Sequence, residues 1–197
     1  MPGSCRDCRK FGTKLFLKGE RCLTPKCAIT KRNYLPGAQG PKARAPRKSE
    51  YGLQLLEKQK AKAEYGLRER QFSKIFRVAS RKKANTGEEF LRKLELRLDN
   101  VVYRLGWAKS RAHARQLVLH GKIKVNDRKT NIPSRELKLN DSLKPQKKEF
   151  IEVQKTVLPK WLEFKAKEIE GKIINLPSRI EIESPVDEQL IIEYYNR

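Results

Sequence analysis

Leu91, Leu94, Leu98, Val102 and Leu105 recur at spacings of three and four, the period that lines one face of a helix. This predicts one helix from about residue 88, or two helices broken near Asp99-Asn100. Thr86 and Glu89 form a T-x-x-E pair at its start, a capping box in which each side chain satisfies an orphan amide. Gly106 supplies the left-handed terminating position. Ser110 then caps a second helix, Arg111 to Leu119, ended by Gly121. Ala114, Leu117 and Val118 face inward on it, while Arg111 and Arg115 project together on the outer side. Past Gly121 the period becomes two. Ile123 and Val125 alternate with Lys122, Lys124 and Asn126, and Asn126-Asp127 makes a turn. Leu137, Leu139 and Leu143 alternate likewise against Lys138 and Lys144. A helix pair feeding a small antiparallel sheet is expected.

On the N-terminal side, Ser49 caps a helix holding Leu53, Leu56 and Ala63. After Gly66 a further helix carries Leu67, Phe72, Ile75, Phe76 and Ala79. Past Pro145 the pattern weakens. Leu158 to Phe164 alternates like a strand with Trp161 buried, and a helix from Val186 to Tyr195 bears Leu190, Ile191 and Tyr194. Residues 1–48 hold too few apolar side chains to fold by burial alone, and Pro36-Gly37, Gly40-Pro41 and Pro46 keep them extended. The fold class is α+β.

Charge changes the picture. The 197 residues include 46 Lys and Arg against 23 Asp and Glu, a net charge of +23. An imbalance that large opposes compaction unless a polyanion neutralises it, and nucleic acid is the expected partner. The excess lies in residues 1–150, since residues 151–197 hold 7 basic and 9 acidic groups. That last part is expected to contact protein or complete a core. No apolar h-region follows Met1 and no run approaches a membrane span, so a soluble intracellular protein is expected.

Cys5, Cys8, Cys22 and Cys27 are the only cysteines, spaced C-x2-C-x13-C-x4-C. Four thiolates suit one tetrahedral zinc, closed and therefore structural, stapling the basic arm. Reduced unliganded thiols and two disulfides are the alternatives. No catalytic constellation is present. His113 and His120 lie in the basic helix, where RNA contact or capping is expected of them, and no phosphate-cradling glycine loop occurs.

Basic side chains gathered at a helix start and an adjacent strand edge form a platform for phosphate. The run RLDNVVYRLGWAKSRAHARQLVLHGKIKVN, beginning at Arg97, closely resembles the RNA-binding module of the small-subunit ribosomal protein four family, shared with several RNA-modifying enzymes. GPKARAPRKSEYGLQLLEKQKAKAEYGLRERQF and the terminal EQLIIEYYNR resemble further family segments, so the likeness covers nearly the whole chain. It supports, without requiring, a zinc-stapled arm over 1–48, and implies a helical domain over 49–87 completed by 184–197, and an inserted domain over 88–183 with the RNA-binding module at about 88–145. Candidate RNA contacts are Arg97, Arg104, Lys109, Arg111, Arg115, Gln116, His120, Lys122, Lys124, Asn126 and Arg128. Lys42, Arg44, Arg47 and Lys48 match the family segment that lines the path by which messenger RNA enters the subunit. The resemblance further implies a non-enzymatic constituent of the small ribosomal subunit, cytoplasmic, which binds small-subunit rRNA early, nucleates assembly and influences accuracy through neighbouring ribosomal proteins. No membrane and no small-molecule substrate is expected. Two rivals are an RNA-modifying enzyme carrying the same module and a zinc-dependent DNA-binding regulator. The first needs a catalytic domain for which no stretch has room, the second a base-reading helix beside the metal.

Overall fold

The structure, a computed structural model, describes residues 5–37, 40–42, 47–82, 85–151, 157–166 and 168–197. Among these the helices are α1 (Cys5–Phe11), α2 (Ala28–Lys31), α3 (Glu50–Glu64), α4 (Glu69–Ala79), α5 (Thr86–Glu95), α6 (Leu98–Arg104), α7 (Arg111–Leu119) and α8 (Glu188–Tyr195). The strands are β1 (Ile123–Val125), β2 (Arg128–Thr130), β3 (Ser142–Pro145), β4 (Leu162–Lys165) and β5 (Glu170–Ile173). The chain forms two compact units, Met1–Gly87 with Ser184–Arg197, and Glu88–Glu183. No helix among the described residues is long and apolar enough to cross a membrane.

In the first unit, α3 packs chiefly on α8. The Ser49 hydroxyl accepts the Gly52 amide at 3.2 Å, capping α3. The face that α3 buries is not the expected apolar stripe. Leu53 is exposed, whereas Gln54, Lys58, Lys60 and Glu64 are buried beside Ala61 and Ala63. Buried charges are tolerable only when paired, and these are. Lys58 Nζ lies 2.9 Å from Glu69 and 4.2 Å from the Tyr194 ring centroid, Lys60 lies 2.7 Å from Glu57, and Glu64 accepts the Ser184 hydroxyl at 2.8 Å. α4 buries Phe72, Phe76 and Ala79, with Phe76 stacked on Tyr195 at 4.4 Å. α8 begins after Val186 because Asp187 caps it, accepting the Gln189 amide at 3.0 Å.

The N-terminal segment departs from the extended arm expected of it. α1 packs on α2 and on α3, and Cys8, Leu15 and Ala63 form a small core joined by Phe11, Leu17 and Ile29. Burial against α3 supplies what the segment's own sequence lacks.

The second unit is a five-stranded antiparallel sheet in the order β2-β1-β3-β5-β4 beneath α6 and α7. Its core gathers Leu98, Val101, Val102, Leu105, Trp107, Leu117, Val118, Ile123, Val125, Leu143, Trp161 and Ile173. β1 and β2 join through Asn126 and Asp127, both in the left-handed region at φ 49° and 61°, as a two-residue type I′ hairpin requires. The helix break falls at Leu96-Arg97, upstream of the expected Asp99-Asn100. There the Leu137 amide donates to Leu96 O and the Leu98 amide to Arg135 O, each at 2.9 Å, drawing the backbone into a bridge with residues 135–137. That bridge ends at Leu137. Residues 138–141 then turn, Asn140 takes a φ of 67°, and Leu139 is exposed rather than continuing a strand. On β5, a Cβ added to Gly171 would stand 2.5 Å from Leu105 Cδ1, so glycine lets α6 approach the sheet.

Candidate nucleic-acid interface

The expected platform is built around two buried carboxylates. Glu95, 1% exposed at the end of α5, accepts Arg104 Nε and Nη2 at 2.9 and 2.8 Å and Asn100 Nδ2 at 2.7 Å. Asp99 accepts Arg97 Nε and Nη2 at 3.1 and 2.9 Å and is approached by Arg115 at 3.3 Å. Asn100 then passes the restraint on. Its Oδ1 accepts Arg111 Nε at 2.8 Å, and the Arg111 guanidinium lies 4.7 Å from the Tyr103 ring centroid. α7 is thus tied to α6 through Asn100–Arg111 and Asp99–Arg115, and the Ser110 hydroxyl caps it by accepting the His113 amide at 3.2 Å.

The candidate RNA contacts therefore divide. Arg97 is 3% exposed and paired with Asp99, so it holds the α5–α6 corner. Arg104 is largely covered and forks onto Glu95. Asn126 is exposed, but its amide is used within the sheet, donating to Asp141 at 2.7 Å and accepting the Ser142 amide at 2.9 Å. Arg111 and Arg115 are half-buried and oriented, whereas Lys109, Gln116, His120 and Arg128 are exposed. Lys122 and Lys124 are half-buried on β1 and its approach, with Lys122 Nζ 4.5 Å from the Phe150 ring centroid.

Strand register sets beside Lys124 two lysines that the sequence reading did not select. Lys124 lies opposite Lys129 on β2 and Lys144 on β3, so three lysines cross the sheet side by side. Like charges directly opposite are unfavourable in water and favourable beneath a polyanion. Lys144 is partly offset by Asp127 at 3.7 Å and Glu170 at 3.5 Å. Period-two alternation from Lys122 onward carried the signal for this row, but only the register supplied it.

The cysteines are free thiols in the first unit, with Cys8, Cys22 and Cys27 buried. Burial pushes the Cys8 thiol up, and the nearby Cys22, Cys5 and Cys27 add to the rise. Burial also acts to raise Cys27, but the Ile29 and Thr30 amides, the Thr30 hydroxyl and Lys14 outweigh it and hold that thiol below its ordinary value. Among the described residues no three or more His, Cys, Asp or Glu side chains form a group that could hold a metal ion. Of the candidate messenger residues, Arg47 and Lys48 are exposed, while Arg44 and the Lys42 side chain lie outside the described residues.

Residues 3–95 match the Ribosomal protein S4/S9 N-terminal domain, and residues 96–143 match the S4 domain. The chain is 51% identical over 201 residues to small ribosomal subunit protein uS4 of Dictyoglomus turgidum, covering 98% of this chain and 96% of that one. It is 50% identical over 202 residues to uS4 of Natranaerobius thermophilus, covering 98% and 96%. Against uS4 of Ruminiclostridium cellulolyticum the figures are 49% over 203 residues, covering 98% and 97%. With half its residues identical to these relatives across almost its whole length, this chain belongs to the uS4 family of small ribosomal subunit proteins.

Proposed function

We propose that this chain is a structural, non-enzymatic constituent of the small ribosomal subunit in the cytoplasm. It binds small-subunit rRNA, nucleates subunit assembly and contacts neighbouring ribosomal proteins. The observation that carries this reading is that the likeness runs through both halves of the chain, not the S4 domain alone. An RNA-modifying enzyme would replace the N-terminal half with a catalytic domain. Binding rests on α7 and β1. Guanidinium forks match phosphate oxygens, and Arg111 and Arg115 are already oriented by Asn100 and Asp99. Little side-chain entropy then remains to be lost when a phosphate arrives. The test is sedimentation of the tagged chain from a bacterial lysate. Co-migration with small subunits after a high-salt wash is expected, and a chain remaining in the free-protein fractions contradicts the reading.

The proposal includes messenger contact through Lys42, Arg44, Arg47 and Lys48, supported by the exposure of Arg47 and Lys48. Neutralising these charges is expected to slow structured messengers more than unstructured ones, and equal slowing rejects the role. It also includes one structural zinc on Cys5, Cys8, Cys22 and Cys27. The donor set fits, with four thiols in one small lobe, and Cys5 and Cys8 three apart on α1. As they stand the thiols do not form a ligating group. Bound zinc would supply a crosslink between α1, the turn at Gly19–Cys22 and the start of α2.

A further inference from the structure

We infer that α8 is a detachable latch, which opens and closes on α3 as one body while the second unit stays folded. Isolated helices shorter than about 12–15 residues are marginal in water. α8 has 8 residues, so it is helical only while docked. Its docking is largely polar, since Ile191 alone among its side chains is buried. Gln54 Nε2 donates to Glu193 at 3.1 Å, the Ser184 hydroxyl to Glu64 at 2.8 Å and the Tyr195 hydroxyl to Glu69 at 3.1 Å. The Asp187 amide donates to Glu57 at 3.3 Å, and Lys58 Nζ lies 4.2 Å from the Tyr194 ring centroid.

These contacts make opening local. Protein hydrogen bonds contribute little net stability because water replaces them when they break. Lifting α8 gives Gln54, Lys58 and Glu64 back to water, so the bared face of α3 is polar and stays soluble. The core of the second unit contains no residue of α8, so it does not follow. The partners also lie 120 and 139 residues apart for Ser184–Glu64 and Gln54–Glu193. A chain made from its N-terminus therefore completes the whole second unit before α3 meets its cover. A charged face suits that wait where an apolar one would invite aggregation. The latch closes the first unit last, and only in a chain that carries its C-terminus. This goes beyond rRNA binding and does not depend on it.

The test is residue-resolved amide hydrogen exchange of the full-length chain, read by nuclear magnetic resonance. The amides of Ile192 to Tyr195 are expected to exchange at one common rate, at least about tenfold faster than those of β1 and β3. Ser184→Ala, ahead of α8, removes the Glu64 contact and should speed all of these amides by one factor of about five, out to Tyr195. Gln54→Ala removes the Glu193 contact near the other end and should speed the same amides alike, Ile192 included. Circular dichroism checks that both variants fold, and β1 and β3 should keep their wild-type rates. Rates graded inward from Arg197, with Ser184→Ala leaving Tyr195 untouched, would mean fraying and overturn the latch. Exchange of α8 in step with β1 and β3 would mean one global unfolding and overturn it equally.

Discussion

Replacing Glu95 with Gln changes one oxygen for an NH2 group at the centre of the α5–α6 corner. Glu95 is 1% exposed and accepts from Arg104 Nε and Nη2 at 2.8–2.9 Å. The substitution removes the charge and turns a donor toward a donor. Breaking a fully buried ion pair costs about 3–5 kcal/mol. The Arg104 side chain is 15% exposed and also reaches Glu183 O at 3.3 Å, so part of that cost is recovered. A loss of about 3 kcal/mol is expected, roughly a hundredfold in the folded-to-unfolded ratio. The chain has 2 tryptophans, and both, Trp107 and Trp161, lie in the core of the second unit. Tryptophan fluorescence during urea unfolding therefore reports this unit alone. With a slope of about 1–1.5 kcal/mol/M the midpoint should fall by about 2–3 M. Replacing both partners, Glu95→Leu with Arg104→Met, should restore much of the loss. A midpoint unchanged in Glu95→Gln, at an unchanged slope, refutes the claim that this carboxylate anchors the corner.

The remaining predictions concern the first unit. Burial opposes the charge on Lys58, but Glu69 and Tyr194 together, through hydrogen bonds and charge, outweigh it and raise Lys58, while Glu69, likewise opposed by burial, is lowered by Lys58 and Lys62. A raised lysine contributes stability that is full below its unfolded value near 10.5 and lost as pH rises through the folded one. A lowered carboxylate contributes stability that is full above its unfolded value near 4.5 and lost as pH falls through the folded one. Thermal unfolding by circular dichroism should show both limbs, and Lys58→Met should flatten them; unchanged limbs would count against the pair. Chelation should loosen α1 and α2 while tryptophan fluorescence stays constant, because the second unit has its own core. Well under one zinc per reduced chain by metal analysis would dismiss the metal.

Local chemistry made much of this fold legible. α7 occupies Arg111–Leu119 as its cap and glycine stop indicate, Asn126-Asp127 turns as its residue types require, and Trp161 is buried in the strand region read from alternation. What failed needed partners distant in sequence. Leu53 yields to buried Lys58 and Glu64 because Glu69 on α4 pairs with Lys58 and Ser184, ahead of α8, donates to Glu64. The helix break moves to Leu96-Arg97 because residues 135–137 bridge there. Charge patterns likewise do not reveal that the candidate contacts Arg97 and Arg104 are paired with Asp99 and Glu95. The lysine row of β2, β1 and β3 is a property of register, invisible until the strands are paired.

The most direct test is filter binding of the intact chain to small-subunit rRNA and to duplex DNA of equal length, over a series of salt concentrations. Arg111→Ala/Arg115→Ala should weaken rRNA binding and make its salt slope shallower by about one for each lost phosphate contact. The wild type should retain its preference for rRNA at physiological salt, where non-specific phosphate binding is screened. Equal affinity for rRNA and duplex DNA across the series, with an unchanged slope in the double variant, would contradict specific rRNA recognition through α7.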